Sequence, residues 1–125
     1  MSFANRIGTA AALALLVLAA ACSKKEVSFA RDVNPILQKN CLGCHSPGGK
    51  GYVASGFSVE SYADVMKGTR YGSVILPGYS ISSTIERLIE HKAHPSIHMP
   101  QGQPQLPREE LDVIKAWIDE GAKDN

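Results

Sequence analysis

The chain reads as a small all-α domain with short helices and long loops, and three observations predict this. Apolar residues recur at three- and four-residue steps in separate segments, as helices that bury one face require. No segment alternates convincingly with a period of two, and the apolar triplet Val74-Ile75-Leu76 is too short to read as a strand. Proline and glycine gather between the periodic segments, where turns belong. At 125 residues the chain is long enough for one small domain.

The first 21 residues read as an export signal rather than part of the fold. Arg6 supplies a short positive region, residues 7–21 carry no charge, and the run ends in Ala19-Ala20-Ala21. A membrane span needs roughly 20 apolar residues, and this run is shorter. Residues 22–28 form a polar tether, and residues 29–125 form the folded domain.

A first helix spaces Phe29, Val33, Ile36 and Leu37 at helical steps and runs toward Cys41. Pro35 leaves two starts open. With Asp32 as N-cap, Pro35 falls in the first turn, where its missing N–H costs nothing. With the start at Ser28, Pro35 should kink the helix.

Residues 46–56, with Pro47, Gly48, Gly49, Gly51 and Gly56, read as loop. Ser58 can cap a short helix over residues 59–67, closed by Gly68. Residues 69–79 are a second loop, containing Gly72, Pro77 and Gly78. A third helix begins near Ser82 or Ser83. Ser83-x-x-Glu86 has capping-box spacing, and Ile85, Leu88 and Ile89 form one face. His91 and Lys92 fall in its last turn, where positive charge suits the helix dipole.

Residues 94–107 hold four prolines and read as loop. The last helix covers about residues 107–120, with Pro107 at its start, Gly121 past its end and Glu109 and Glu110 in its first turn. Its buried face is Leu111, Ile114, Trp117 and Ile118.

Composition narrows the function. From Cys22 onward, 12 Lys plus Arg balance 12 Asp plus Glu. That balance offers no basic patch for nucleic acid. Hydrophobic residues make up 44% but aromatics only 6%, a thin supply of large core side chains. A bound apolar cofactor would fill the gap.

Cys41-Leu42-Gly43-Cys44-His45 carries the chemistry. Two thiols at this spacing match the two vinyl groups of a porphyrin, and the adjacent His becomes the proximal iron ligand. The expected cofactor is therefore one covalent haem c on Cys41 and Cys44, with iron bound by His45. A zinc site would need a fourth ligand from His91, His94 or His98, and no second Cys pair is present. A dithiol redox site would sit in a strand–helix context, which is missing.

The distal ligand has five candidates: Met66, Met99, His91, His94 and His98. Met99 precedes Pro100 in the proline-rich loop, where chain stiffness can hold a thioether at iron. Met66 shares core spacing with Tyr62 and reads as packing. His98 adjoins Met99, and adjacent side chains in extended backbone point apart. His91 and His94 read as solvated. Arg70 and Tyr71 could reach haem propionates, or sit in solvent. Trp117 reads as core, packing on the haem or on the first helix, with an electron conduit as the rival reading.

Together these residues resemble a known family. Val33-Asn34-Pro35-Ile36-Leu37 before the Cys-x-x-Cys-His run looks like the start of the planctomycete-type cytochrome c domain. Ser55-Gly56-Phe57, Lys67-Gly68, Val74-Ile75-Leu76-Pro77-Gly78, Ser83-Thr84-Ile85, His98-Met99-Pro100 and the ending Ala116-Trp117-Ile118-Asp119-Glu120-Gly121-Ala122 follow in order. The resemblance covers residues 29–125. It implies a class I-like cytochrome c fold with Cys41, Cys44, His45 and Met99 as the haem residues, and Met before Pro in this loop as the distal ligand. The expected role is single-electron transfer between redox partner proteins. A haem sensor or a peroxidase-like enzyme, each with a labile sixth position, is the alternative.

Cys22 is the odd cysteine of three. Leu18-Ala19-Ala20-Ala21-Cys22 resembles the lipobox of bacterial lipoproteins, with Ala19 where that box more often has Leu. The resemblance implies lipidation at Cys22 and a place on the periplasmic face of a bacterial membrane; Ser23, rather than Asp, after the cysteine favours the outer membrane if the source is Gram-negative. Ordinary signal cleavage after Ala21 would instead leave the thiol unmodified.

Overall fold

The first helix begins at Ser28, the second of the two starts the sequence allows. In the computed structural model, which describes residues 25–125, the Ser28 Oγ accepts from Arg31 N at 3.2 Å, and Asp32 accepts from Ser28 N at 2.9 Å. The expected signal and Cys22 lie outside the described residues. A π-helical stretch, Phe29–Val33, leads into α1, Asn34–Asn40. The wide turn is how the chain accommodates Pro35. In a regular α-helix the proline ring would press on the carbonyl four residues back. Here the ladder is looser by one residue, with Val33 N bonded to Ser28 O and Asn34 N to Phe29 O.

The far end of the chain caps this helix. Asn125 accepts from Ser28 Oγ (2.6 Å) and Ala30 N (3.0 Å) through its backbone oxygen, and from Phe29 N (2.8 Å) through Oδ1. First-turn donors that a helix leaves orphaned are thereby satisfied.

Three short helices follow: α2, Lys50–Ser55; α3, Tyr62–Lys67; and α4, Thr84–Ile89. The segment read as glycine-rich loop therefore contains a helix. Its glycines occupy special places rather than breaking regular structure. Gly49 is the N-cap of α2 and Gly56 its left-handed C-cap at φ +77°.

Helix α3 starts three residues later than the sequence predicts. Val59 N donates to His45 O at 2.9 Å, so that residue is committed elsewhere. Ser61 takes the cap, accepting from Asp64 N. Ser83 is the N-cap of α4, but the capping box does not form. Its Oγ instead serves the 74–79 loop, accepting from Leu76 N (2.8 Å) and donating toward Tyr79 O (3.0 Å). Glu86 turns into the protein and is 2% exposed. Among the described residues no strand forms, only one isolated bridge between Thr69 and Gly72.

The last helix, α5, spans Arg108–Asp119 and buries the predicted Leu111, Ile114, Trp117 and Ile118. Three rings lock its end to the first helix and α3. Phe29 meets Tyr62 edge-on at 5.2 Å and Trp117 at 5.4 Å. Each such pair adds about 0.5–1.5 kcal/mol beyond burial. Trp117 Nε1 donates to Lys123 O and Tyr62 OH to Ala122 O, so both polar tips are satisfied. Trp117 thus packs on the first helix, as the core reading expects.

Candidate haem site

Helix α1 delivers the Cys-x-x-Cys-His run. Its buried Ile36 and Leu37 anchor it, and Cys41 closes it, with Cys41 N bonded to Leu37 O at 2.9 Å. Asn40 and Lys39 hold this end to α5 by donating to the two carboxylate oxygens of Glu110, each at 2.8 Å. The chain then turns tightly. Cys41 O accepts from both Cys44 N and His45 N. Cys41 and Cys44 carry separate thiols, with no disulfide between them.

His45 is fixed from two sides. Its Nδ1 lies 3.2 Å from Phe57 O, and its ring meets the Phe57 ring edge-on at 5.3 Å. A carbonyl can only accept, so Nδ1 carries the proton and Nε2 keeps the lone pair. This is the usual way a second partner fixes the tautomer of a metal-binding histidine. Below the ring sits Gly51, where a methyl group would come within 2.6 Å of His45 Cε1. A methyl on Gly49 would meet Cys44 O at 2.5 Å. Helix α2 and its N-cap can press against the Cys44 backbone and the His45 ring only because these two positions lack side chains.

Burial holds the His45 imidazole below its ordinary pKa, against the opposing pull of the Phe57 carbonyl. The neutral form is the one a metal needs. Burial also pushes the Cys41 thiol up to about 11, and the charges of Cys44 and Glu110 act in the same direction. An exchanging dithiol needs the opposite, a thiolate favoured near neutral pH. Among the described residues no three His, Cys, Asp or Glu side chains converge as a metal site.

A cavity of about 410 Å³ opens beside this turn. Cys41, Cys44 and His45 line it, and so do Met99 and Pro100. Half of the remaining lining residues are aliphatic, including Leu37, Val74, Ile85, Leu88 and Ile114. Its size and apolar character suit a large flat cofactor. Among the described residues, Lys50 is the one on this wall with a formal charge.

The other candidates lie off this wall. Met66 packs against the hydrophobic core. His94 Nδ1 accepts from Ser96 N. His98 Nε2 donates to Ala93 O at 2.7 Å. His91 is not simply solvated: its Nε2 donates to Met99 O at 3.2 Å. Arg70 spends its guanidinium on Val53 O at 2.7 Å, and Tyr71 is 82% exposed. Neither lines the cavity, so the propionate reading of that pair finds no support. Phe57, Gly51 and Glu110 were missed as site residues. Gly51 stood in the loop after the attachment run, Phe57 in the family-like Ser55-Gly56-Phe57 and Glu110 in the first turn of the last helix, but none was read as part of the site.

An all-helical fold with a Cys-x-x-Cys-His turn beside an apolar cavity defines a small cytochrome c-like domain. The family model described as Planctomycete cytochrome C matches residues 41–101, and this segment is a planctomycete-type cytochrome c domain. The match runs from Cys41 to beyond Met99. Searches of curated proteins and of solved structures returned no match. The domain class implies haem c and haem-based electron transfer.

Proposed function

We propose that the chain is a monohaem c-type cytochrome that passes single electrons in the cell envelope. The observation that carries this reading is that Cys41, Cys44, His45 and Met99 all line one apolar cavity. Bound haem would supply a reversible one-electron ferrous/ferric couple. Cys41 and Cys44 hold it covalently. His45 offers Nε2 to the iron because Nδ1 is engaged by Phe57. Met99, on the same cavity wall, would supply the second protein ligand to the iron. The aliphatic part of the wall would shield one side of the haem, and Lys50 is available to pair with a propionate.

Filled axial positions favour electron transfer over ligand binding or peroxidase chemistry. A peroxidase needs an acid–base side chain near the open position. His98, the strongest candidate for that role in the sequence, bonds to Ala93 O and is absent from the cavity wall. The reduced protein should therefore bind carbon monoxide slowly or not at all at neutral pH. Met99→Ala should bind it rapidly and lose the weak far-red sulfur-to-iron band of the ferric form. Rapid binding by the wild type would favour the sensor or enzyme instead.

The same reading places the domain on the periplasmic face of a bacterial membrane, lipid-anchored through Cys22. Among the described residues no helix is long and apolar enough to cross a membrane. An unmodified Cys22 in an oxidising compartment could mispair with Cys41 or Cys44 before haem attachment, and lipidation removes that hazard. Two or more acyl chains anchor stably, whereas one binds only marginally. Wild type should fractionate with membranes, and Cys22→Ser should not. A wild-type protein that is soluble and has no added lipid mass refutes the anchor and leaves the haem site untouched.

A further inference from the structure

Two residues past the end of helix α4 stands a residue that the local backbone does not favour. After Ile89 the chain closes with Lys92 N bonded to Arg87 O at 2.9 Å and His91 N to Leu88 O at 3.3 Å. His91 itself sits at φ +54°. Glycine is the usual occupant of this left-handed position, because a β-carbon there costs about 1–2 kcal/mol. A residue kept against that cost points to a use for its side chain.

That side chain reaches the Met99 loop. His91 Nε2 donates to Met99 O at 3.2 Å, and Met99 N donates to Leu88 O at 3.1 Å. Both main-chain polar groups of Met99 are therefore tied to the end of α4. The ring of His98 stacks on that of His91, with centroids 4.3 Å apart and planes 12° from parallel. His98 is itself held through Nε2 to Ala93 O. Residues 98 and 99 are thus fixed together, while Met99 lines the cavity.

We infer that His91, with His98 stacked on it, is a positioning residue that clamps the Met99 backbone and so keeps its thioether at the iron. This rests on Met99 being the distal ligand. Neither His91 nor His98 lines the cavity. The clamp acts by raising the barrier to loop displacement, which an incoming ligand must overcome.

The backbone strain at His91 allows the clamp to be separated from simple fold stability. Glycine suits φ +54°, so His91→Gly should leave the denaturation midpoint unchanged or higher. It removes both the donor and the stack, and cyanide binding to the ferric haem-loaded protein should accelerate about tenfold, the equivalent of one hydrogen bond. His91→Gln keeps an amide donor with similar reach and should bind cyanide at a rate close to wild type. Met99→Ala, measured alongside, should be the fastest. A His91→Gly protein with the wild-type cyanide rate, beside a fast Met99→Ala, overturns the clamp and leaves the ligand assignment standing. A Met99→Ala protein no faster than wild type overturns the ligand assignment, and the clamp with it.

Discussion

Cys41→Ala combined with Cys44→Ala should yield a protein with no covalently bound haem and a poorly formed fold. The size of the effect follows from the cavity. At about 24 cal/mol per Å³, a void of about 410 Å³ corresponds to roughly 10 kcal/mol. Water entering the open side reduces that figure. Even so, it is comparable to the whole stability of a small domain, about 5–15 kcal/mol. Phe29, Tyr62 and Trp117 are committed to the joint between the first and last helices and are not free to fill the cavity. A pyridine haemochrome spectrum of denatured protein reports covalent haem directly, and circular dichroism melting reports the fold. A double variant that melts like wild type, with a wild type that binds zinc instead, would sink the haem assignment.

The attachment run was legible because it is local. Cys41, Cys44 and His45 need only one turn of chain to come together. The buried face of α5 was legible for the same reason, since its 12 residues of regular periodicity leave little ambiguity. What the sequence hid were decisions made by distant partners. Ser58 and Ser61 are equally good caps on local grounds. The choice falls to Ser61 because Val59 N is held by His45 O, fourteen positions away. Helix α2 was hidden by its glycines, whose roles depend on the His45 ring and the Cys44 carbonyl. Ser83 and Glu86 had capping-box spacing, yet the Leu76–Tyr79 loop claimed the serine. His91 read as solvated because no local rule connects a helix end to a carbonyl eight residues on. Met99 was reachable from sequence through its neighbour Pro100 and the family resemblance, while the bonds that hold it were not.

Glu86, released from the cap, should make stability fall as pH rises from the acid range toward neutrality. Its carboxylate is buried, and among the described residues neither oxygen has a hydrogen-bond partner. Burial first, and the charge of Glu90 second, push its pKa up to about 7 from an ordinary 4.5. Lys115 and Lys92 pull the other way, and Asp119 adds to the rise. In the unfolded chain the group loses its proton near the ordinary value. Between about pH 4.5 and 7 the folded state therefore holds a proton that the unfolded state has released. Stability must decrease across that window and level off above it. The full effect is on the order of 3 kcal/mol, because each tenfold change in proton affinity is worth about 1.4 kcal/mol. Glu86→Leu removes the titration and replaces an unpaired buried carboxyl with apolar surface, which is often neutral or better in a buried site. The stability gap between variant and wild type should therefore widen from about pH 4.5 to 7 in favour of the variant, then stay constant to about pH 8. Urea unfolding of both haem-loaded proteins across this pH range measures it, and a gap that does not change with pH would show that Glu86 ionises in the folded protein as it does in the unfolded chain.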